Sequence, residues 1–345
     1  PASGYKDIEH RLLAVLKSPE TTKDGKRFIC RWLGVVGSAE CIPAVARLLA
    51  DEDLSHPARM ALEPKADPAA GAALRAALPR VKGKLLVGLI GSLGVRRDGE
   101  AVEPLSGLAA DGDPQVAGAA ISALGAIGTE EAVKALESIQ VPAALSRTLA
   151  RAKIAAANHL AAAGKKDQAL RLYKSVTLNG PQGLSVAAIQ GMLQTLDRES
   201  AVASLLNLLQ GPDEPEHEWA RKAAIAAYLG STDKALKDTV ADRLPAMNRL
   251  GQLALLRVLA DQPDVAARAA VLKVLEAADD AGVRVAALEC LVRHGEAADV
   301  PLVVRLAHAK PEAVADAARK VLQEMGKPGV DDALARLIES PSADD

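Results

Sequence analysis

Apolar residues recur along the whole chain at the spacing of amphipathic helices. When the sequence is aligned on a leucine near the end of each alanine-rich segment, ten such positions appear, at intervals of 29 to 36 residues. The residue four positions before each of these anchor leucines is also apolar, and an i, i+4 pair lies on one face of a helix. The pattern therefore predicts ten helices that each bury one stripe. The ten anchors are Leu33, Leu62, Leu93, Leu124, Leu160, Leu193, Leu229, Leu259, Leu291 and Leu322.

A second, shorter amphipathic run lies between most of these segments, for example at 42–49, 102–108 and 300–306. Glycines follow the anchors, where a helix end favours them, and no alternating β pattern is present. We therefore predict a unit of two helices in about 31 residues, close to the period of known helical repeats. The predicted fold class is all-α, a right-handed α-α superhelix (α-solenoid) of about ten helix pairs. It is expected to span residues 1–338 as a single solenoid, with a polar C-terminal tail at 339–345.

The composition agrees with a series of thin interfaces between helices. Hydrophobic residues make up 49% of the 345 residues, but there are only six aromatic rings. One large core would normally be filled by aromatic side chains, each burying roughly 150 to 250 Å². Alanine and leucine favour helices instead, and alanine lets two helix axes approach closely. Each ring that lies on a surface is therefore of interest as a contact for a partner.

Charge and cysteine usage exclude several classes of function. The net charge is -2, so no basic excess attracts nucleic acid or an anionic membrane. No run of 18 apolar residues is present, so membrane insertion is not expected. Three cysteines are too few for a disulfide scaffold or a metal cluster. The chain opens with Pro1 rather than Met, from which we expect a processed N terminus, with a signal peptide or further domain upstream.

Residues 113–136, DPQVAGAAISALGAIGTEEAVKAL, carry a recognisable pattern. They resemble the HEAT repeat of the phycobilisome-lyase type, in which D-P-x-V-x-x-A-A-x-x-A-L-G-x-I-G is followed by A-V-x-x-L. Weaker copies occur at 58–62, 222–230, 283–295 and 314–326. The resemblance implies a solenoid whose second helices line a concave surface. It does not imply one function, because such repeats serve scaffolds, adaptors and a few enzymes alike.

Two further resemblances qualify this picture. Residues 159–176 resemble a tetratricopeptide repeat, with Ala169, Leu172 and Tyr173 as packing residues, so about 142–195 is predicted to be TPR-like. Residues 55–78 and 85–102 resemble bacterial HEAT modules that are often exported beside sugar-cleaving or redox domains. This favours a periplasmic or exported location over a cytoplasmic one, and leaves the compartment open. It also gives an alternative function, that of an accessory module of an exported enzyme.

No residue pattern indicates catalysis, and no cofactor or metal is expected. His217-Glu218 is the only His-Glu dipeptide. HEAT-type deoxyhypusine hydroxylase builds its iron site from several such dipeptides in separate repeats, so this chain does not match that enzyme. A HEAT-type DNA glycosylase would need a basic groove with aromatic residues around the extruded base. This chain has only six rings and no basic excess, so nucleic acid is not expected as a partner. Cys30 and Cys290 are interpreted as packing residues. A Cys30–Cys41 bridge is an alternative if the protein is exported.

The sequence therefore predicts a monomeric scaffold that binds a partner protein, or a neighbouring domain, on the concave second-helix face. Trp and Tyr are enriched at interface hot spots, which directs attention to rings on predicted second helices. Polar residues seven positions before the anchors are expected to form a structural rail along successive repeats, in which Arg284 pairs with Asp279 or Asp280. The expected partner-binding residues are Arg31, Trp32, Arg59, Trp219, Arg221, Lys222 and Tyr228.

Overall fold

The chain forms 21 α-helices and no strand over residues 3–339, which the computed structural model describes apart from the side chains of residues 3, 4, 179, 182, 215 and 216. The first eleven helices are α1 Ser3–Lys17, α2 Lys23–Val36, α3 Ile42–Ala46, α4 Ser55–Leu62, α5 Pro68–Ala77, α6 Gly83–Arg96, α7 Val102–Leu108, α8 Pro114–Ile127, α9 Glu130–Ser138, α10 Ala143–Ala162 and α11 Lys166–Asn179. The others are α12 Gln182–Thr195, α13 Arg198–Leu209, α14 Pro215–Gly230, α15 Lys234–Asp242, α16 Arg249–Leu259, α17 Arg268–Ala277, α18 Ala281–His294, α19 Val300–Leu306, α20 Glu312–Glu324 and α21 Val330–Glu339.

The ten predicted repeats correspond to ten successive pairs of helices along the chain. Every odd-numbered helix from α1 to α19 is the first helix of a pair, and every even-numbered helix carries an anchor position as its second. The final helix, α21, follows without a second helix among the described residues. The all-α prediction is confirmed, and the polar tail predicted at 339–345 lies outside the described residues except for Glu339.

The chain divides into two compact units, Pro1–Leu184 and Ser185–Asp345. In the first unit, α2, α4, α6, α8 and α10 pack successively beside one another, with first helices along one side. In the second unit, α16, α18 and α20 repeat this arrangement. The boundary falls in the segment predicted to be TPR-like, where Ala169, Leu172 and Tyr173 are buried as expected. The TPR resemblance itself stays a prediction.

Local sequence signals explain where the helices begin and end. Asp113 precedes Pro114 at the first position of α8, and its carboxylate accepts a hydrogen bond of 2.8 Å from the Gln115 N–H. This satisfies one of the free N–H groups of the first turn. The same helix ends at Gly128, which has a φ of 63°, a left-handed conformation that glycine adopts without steric cost.

Seven anchor leucines are buried, but the register assigned to the other three is wrong. Leu193 and Leu322 are only half-buried and Leu229 is 42% exposed. The buried position in these helices is one residue earlier, at Met192, Val321 and Tyr228, which are at most 3% exposed. Each of these pairs consists of two adjacent apolar residues 100° apart on the helix. Alignment on leucine alone cannot tell which of the two faces inward.

Close contacts between second helices depend on small residues. A methyl group built on Gly94 would lie 3.0 Å from the Cα of Ala123, and one on Gly125 would lie 2.6 Å from the Cα of Ala152. Interhelical distances follow the size of the side chains at the contact. Glycine facing alanine therefore allows these helices to pack tightly without aromatic filling.

Side chains with N–H donors, located three residues after an anchor, link successive second helices at three junctions. The Lys65 ammonium donates to the carbonyls of Leu33, at 2.6 Å, and Gly34, at 3.3 Å, and also to that of Gly37. Arg96 donates to the Leu62 carbonyl at 2.8 Å. These carbonyls belong to the end of the preceding second helix, where backbone donors become scarce. Those of Leu33 and Leu62 also accept a backbone N–H, from Gly37 and Lys65, so the side chain adds a second donor. The same link recurs in the second unit, where the His294 ring donates to the Leu259 carbonyl at 2.8 Å.

The rail predicted seven residues before the anchors does not have the expected pairing. Asp280 accepts a hydrogen bond of 2.7 Å from Arg249, which lies in the preceding repeat. Arg284, the predicted partner of Asp280, instead has a buried Nε without a hydrogen bond. Asp280 also caps α18 through the Val283 N–H at 3.0 Å. The Asp280 carboxylate therefore points toward the start of α18 and the previous repeat, and not toward Arg284.

Candidate functional site

The outward face of the first three second helices carries exposed apolar side chains. Positions two residues before and two after an anchor lie 160° to 200° away from it around the helix, so they point away from the buried stripe. Second helices α2, α4 and α6 expose Val35, Met60, Pro64 and Val95 at these positions, with Val35 78%, Met60 51% and Val95 69% exposed. Sequence reasoning missed these residues, although an apolar residue opposite an anchor in consecutive repeats is a readable signal.

The corresponding positions on the last three second helices of the second unit are polar. They are Arg257 and Asp261 on α16, Glu289 and Arg293 on α18 and, counted from the buried Val321, Arg319 and Gln323 on α20, and all six are exposed. The two units therefore present different chemistry on equivalent helix faces. Large apolar side chains exposed on neighbouring elements mark interaction surfaces, which directs attention to the first unit.

A groove of about 650 Å³ lies between α2 and α4. Its apolar lining is formed by Val35, Pro57, Met60 and Pro64 together with the backbone at Gly34. Its polar lining consists of Arg27, Arg31, Asp53 and His56. Its size is within the range of small-molecule or side-chain pockets, roughly 300 to 1,000 Å³.

Most of the charge beside the groove is neutralised within the chain. Arg27 donates to Asp24 at 2.7 Å and lies 3.5 Å from a carboxylate oxygen of Asp53. Lys23 also pairs with Asp53, and this contact lowers the pKa of the Asp53 carboxyl. Arg31 is exposed and takes part in no ion pair with the described residues. It is therefore a cation available to an incoming group at the edge of an apolar groove.

The predicted site residues of the first unit differ in availability. Arg31 and Trp32 are exposed on α2, with Trp32 at 45%. Trp32 contacts Phe28, at 6.2 Å between ring centroids. Arg59 on α4 is half-buried, and it donates to the Gly88 carbonyl at 3.0 Å and to the Ser92 hydroxyl at 3.1 Å. Arg59 therefore connects α4 to α6.

The predicted residues of the second unit all lie on α14. Arg221 is buried and donates to the carbonyls of Leu209 at 3.0 Å and Gly211 at 2.8 Å, so it caps the end of α13. Tyr228 is 1% exposed, its hydroxyl donates to the Lys237 carbonyl, and burial raises its pKa. Trp219 is half-buried, and Lys222 is exposed beside Glu218 at 2.6 Å. Arg221 and Tyr228 therefore present no free surface to a partner in this structure.

Reactive side chains do not converge on a site in the described part of the chain. Cys30, Cys41 and Cys290 are buried free thiols. Burial, with a smaller effect of Cys41, raises the pKa of Cys30 to about 11, which keeps the thiol protonated and unreactive. Between residues 3 and 339, no group of three or more His, Cys, Asp or Glu side chains is placed to hold a metal ion. No helix in this range is both long and apolar enough to cross a bilayer.

Pairs of helices stacked through small residues, with second helices packed successively beside one another within each unit, define a helical-repeat protein of the α-solenoid class. Residues 68–157 match the family profile of HEAT repeats. The chain therefore contains HEAT repeats, which confirms the resemblance at residues 113–136. The phycobilisome-lyase subtype stays a prediction.

Solved structures of repeat proteins are similar to the chain only at low identity. Importin beta aligns with 98% of this chain and 48% of its own, at 15% identity and a TM-score of 0.35. The condensin Cnd3–Cnd2 subcomplex of S. pombe aligns with 97% of this chain and 62% of its own, at 12% identity and a TM-score of 0.27. The chain thus spans about half to two thirds of the lengths of these proteins. No curated protein matches it in sequence.

Proposed function

We propose that the chain is a non-catalytic protein-interaction module that binds a partner protein in the groove between α2 and α4. The observation that carries this proposal is the exposed apolar row on three consecutive second helices, formed by Val35, Met60 and Val95, with the unpaired Arg31 at its edge. Isolated exposed apolar residues are common on proteins, but a row that continues across neighbouring helices is not.

The lining of the groove indicates the chemistry of its partner. Met60 and the prolines offer an apolar surface, and methionine adapts its shape to different side chains. Arg31 can pair with a carboxylate through two parallel hydrogen bonds. The partner segment that fits best has one or two apolar side chains and a nearby Asp or Glu. Polyanions fit less well, because Lys23 and Arg27 are already paired with Asp53.

A random peptide library displayed on phage provides a test that needs no known partner. Peptides selected on the full chain are expected to combine apolar and acidic residues, and their affinity can be measured by fluorescence anisotropy. Met60→Asp places a charge in the groove and Arg31→Glu reverses the free cation. Each substitution is expected to weaken binding at least tenfold, since loss of a desolvated anchor costs about 2 kcal/mol or more.

Arg257→Glu is the matched control, because Arg257 is exposed at the equivalent position of α16 in the second unit, two residues before a buried anchor. It should leave peptide binding unchanged. Selected peptides that bind M60D and R31E as tightly as the unmodified chain would show that the groove is not the binding surface.

The alternative of an accessory module in an exported enzyme concerns the identity of the partner. A catalytic domain of the same polypeptide would meet the same apolar row and the same Arg31. In that case, a peptide taken from the neighbouring domain should compete with the selected peptides for the groove.

A further inference from the structure

Exposed apolar side chains are concentrated at the N-terminal end of the first unit. Of the eleven large apolar side chains exposed in the described part of the chain, six lie on α1 and α2. Five of these form what we call the N-terminal end face, and each is between 44% and 59% exposed. The N-terminal end face consists of Tyr5, Ile8, Val15, Phe28 and Trp32.

Four of these residues lie on the side of their helices that faces away from the second repeat, and Tyr5 lies at the edge of that side, 40° from Glu9. The side of α1 that faces the second repeat carries Glu9, which accepts a 2.8 Å hydrogen bond from the Ser38 N–H, and His10, which lies 3.2 Å from Glu40. Ile8 is 160° from His10 around the helix. On α2, Gly34 faces α4, and Trp32 is 160° away from Gly34.

Trp32 occupies a position that the next three repeats bury. The equivalent residues, one before each anchor, are Ala61, Ser92 and Ala123, and they are 0%, 1% and 3% exposed. Each is covered by the preceding second helix; for example, Gly94 lies against Ala123. The first repeat has tryptophan there, which is too large for such a close Gly–Ala contact. The end face is therefore unlike the internal junctions, and its rings are of the type that protein interfaces favour.

The end face is also unlike the polar outer surface that caps a solenoid. Five large side chains, each about half exposed, leave about 500 Å² of apolar surface in contact with water. An interface of standard size covers about 800 Å² on each partner, of which about 60% is apolar. The end face therefore supplies the apolar area of one side of such an interface.

The apolar stripe on α1 is symmetric, so it can pack against the same stripe of a second copy of the chain. Tyr5, Ile8, the half-buried Leu12 and Val15 follow one another at spacings of three, four and three residues. An antiparallel copy centred near residue 10 places Tyr5 against the partner's Val15, and Ile8 against the partner's Leu12. Along one flank of this stripe lie Asp7 and Arg11, which are exposed and in no ion pair with the described residues.

In this antiparallel arrangement, the same flank of each helix meets its counterpart. Asp7 of one copy then lies within two residues of the partner's Arg11 along the axis, which is about 3 Å. The two pairs of opposite charges are thus complementary across a two-fold axis. An isologous interface requires this property, because each surface patch must match its own copy.

We propose that the N-terminal end face is a homodimer interface in which the α1 helices of two copies pack antiparallel. The two Phe28–Trp32 pairs flank this contact, and Asp7 of each copy pairs with the partner's Arg11. The proposal replaces the monomer expected from sequence. It does not depend on the proposed peptide groove, which lies on the α4 side of α2.

Light scattering after size-exclusion chromatography, with the full chain between 1 and 200 µM (about the range of weak to moderate dimers), tests the proposal. We expect a mass of twice 35.8 kDa at the upper concentrations. Ile8→Asp and Trp32→Asp should each raise the dimer dissociation constant at least tenfold. Their circular dichroism should be unchanged, because both side chains are exposed. Ile338→Asp, at a residue that is 81% exposed on α21, is the control and should dimerise normally.

Charge reversal tests the antiparallel register. Asp7→Arg and Arg11→Asp should each weaken the dimer, and the D7R/R11D double variant should regain most of the lost affinity. A chain that stays at 35.8 kDa throughout the concentration range would overturn the proposal. A dimer that persists in I8D and W32D, an open-ended assembly, or a double variant without recovery would each overturn it as well.

Discussion

Replacement of Lys65 by methionine tests whether the link between second helices stabilises the fold. Lys65 is 9% exposed, and its ammonium donates to three carbonyls at the end of α2, with the Leu33 carbonyl at 2.6 Å. Methionine keeps the length and apolar character of the side chain but removes every donor. The carbonyls of Leu33, Gly34 and Gly37 then lose the ammonium in a site with little access to water, and the Leu33 carbonyl keeps only the Gly37 N–H, at 3.0 Å.

The expected cost follows from the number and type of these hydrogen bonds. A hydrogen bond to a charged group contributes about 1.5 to 3 kcal/mol net, and a cation at a helix C terminus adds about 0.3 to 1 kcal/mol. The desolvation of the ammonium offsets part of this gain. The three carbonyls also share one donor, so their contributions do not add in full. We expect Lys65→Met to lower the free energy of unfolding by about 2 to 4 kcal/mol.

Urea unfolding followed by circular dichroism at 222 nm measures the loss, and hydrogen exchange locates it. The amides of residues 33–37 should exchange faster in K65M, because the last turn of α2 is no longer held. Lys82→Met is the matched control, since Lys82 is exposed and removal of its charge changes the net charge equally. If K65M and K82M unfold at the same urea concentration, the link contributes no more than a surface lysine and the reasoning is refuted.

Three further predictions concern other junctions between repeats. Gly125→Ala should destabilise the first unit by about 1 to 3 kcal/mol by overpacking. Gly91→Ala is the control, at an open position on α6, and should be neutral or stabilising. Equal urea midpoints for the two variants would contradict this. Arg268→Met should cost about 2 to 3 kcal/mol, because it leaves the buried Asp299 carboxylate without its cation. This cost is below that of a fully buried pair, because water screens the partly exposed arginine. The R268M/D299N double variant should recover part of the loss, as measured by thermal unfolding. The pKa of Asp280 lies below its ordinary value of 3.8, chiefly because the arginine of the preceding repeat donates to it. A carboxylate with a depressed pKa stabilises the fold above its ordinary pKa and loses the effect as pH falls through the folded pKa. D280N should therefore be less stable than the unmodified chain at pH 7, and the difference between them should shrink below pH 4. A difference that is constant with pH would contradict this.

Much of the fold could be predicted because helical repeats are built from local patterns. The i, i+4 stripe and the caps at Asp113 and Gly128 are properties of short segments, and each repeat contacts only its neighbours. Register failed at Met192 and Tyr228, because an adjacent leucine provides an equally apolar face. It was correct at Leu33 and Leu259, although Trp32 and Val258 precede them, so packing between helices decides which of two adjacent apolar residues is buried.

The candidate site was less predictable, because availability depends on contacts between repeats. Arg221 and Arg31 are both arginines on second helices, but only the structure shows that Arg221 caps α13 while Arg31 has no ion pair within residues 3–339. The same applies to Trp32 and Tyr228, of which one is exposed and the other buried. Composition correctly directed attention to the rings, and tertiary packing decides which of them can meet a partner.

The link through Lys65 and Arg96 gives the array a direction. Each of these cations belongs to the later repeat and satisfies the carbonyls of the earlier one. During synthesis, the end of α2 is therefore completed only after Lys65 has emerged, and the end of α4 only after Arg96. A cut on the C-terminal side of a repeat takes the cation away from these carbonyls, of which those of Leu33 and Leu62 keep a backbone donor alone, whereas a cut on its N-terminal side only exposes a cation to water. Shortening the solenoid from its two ends therefore has different consequences.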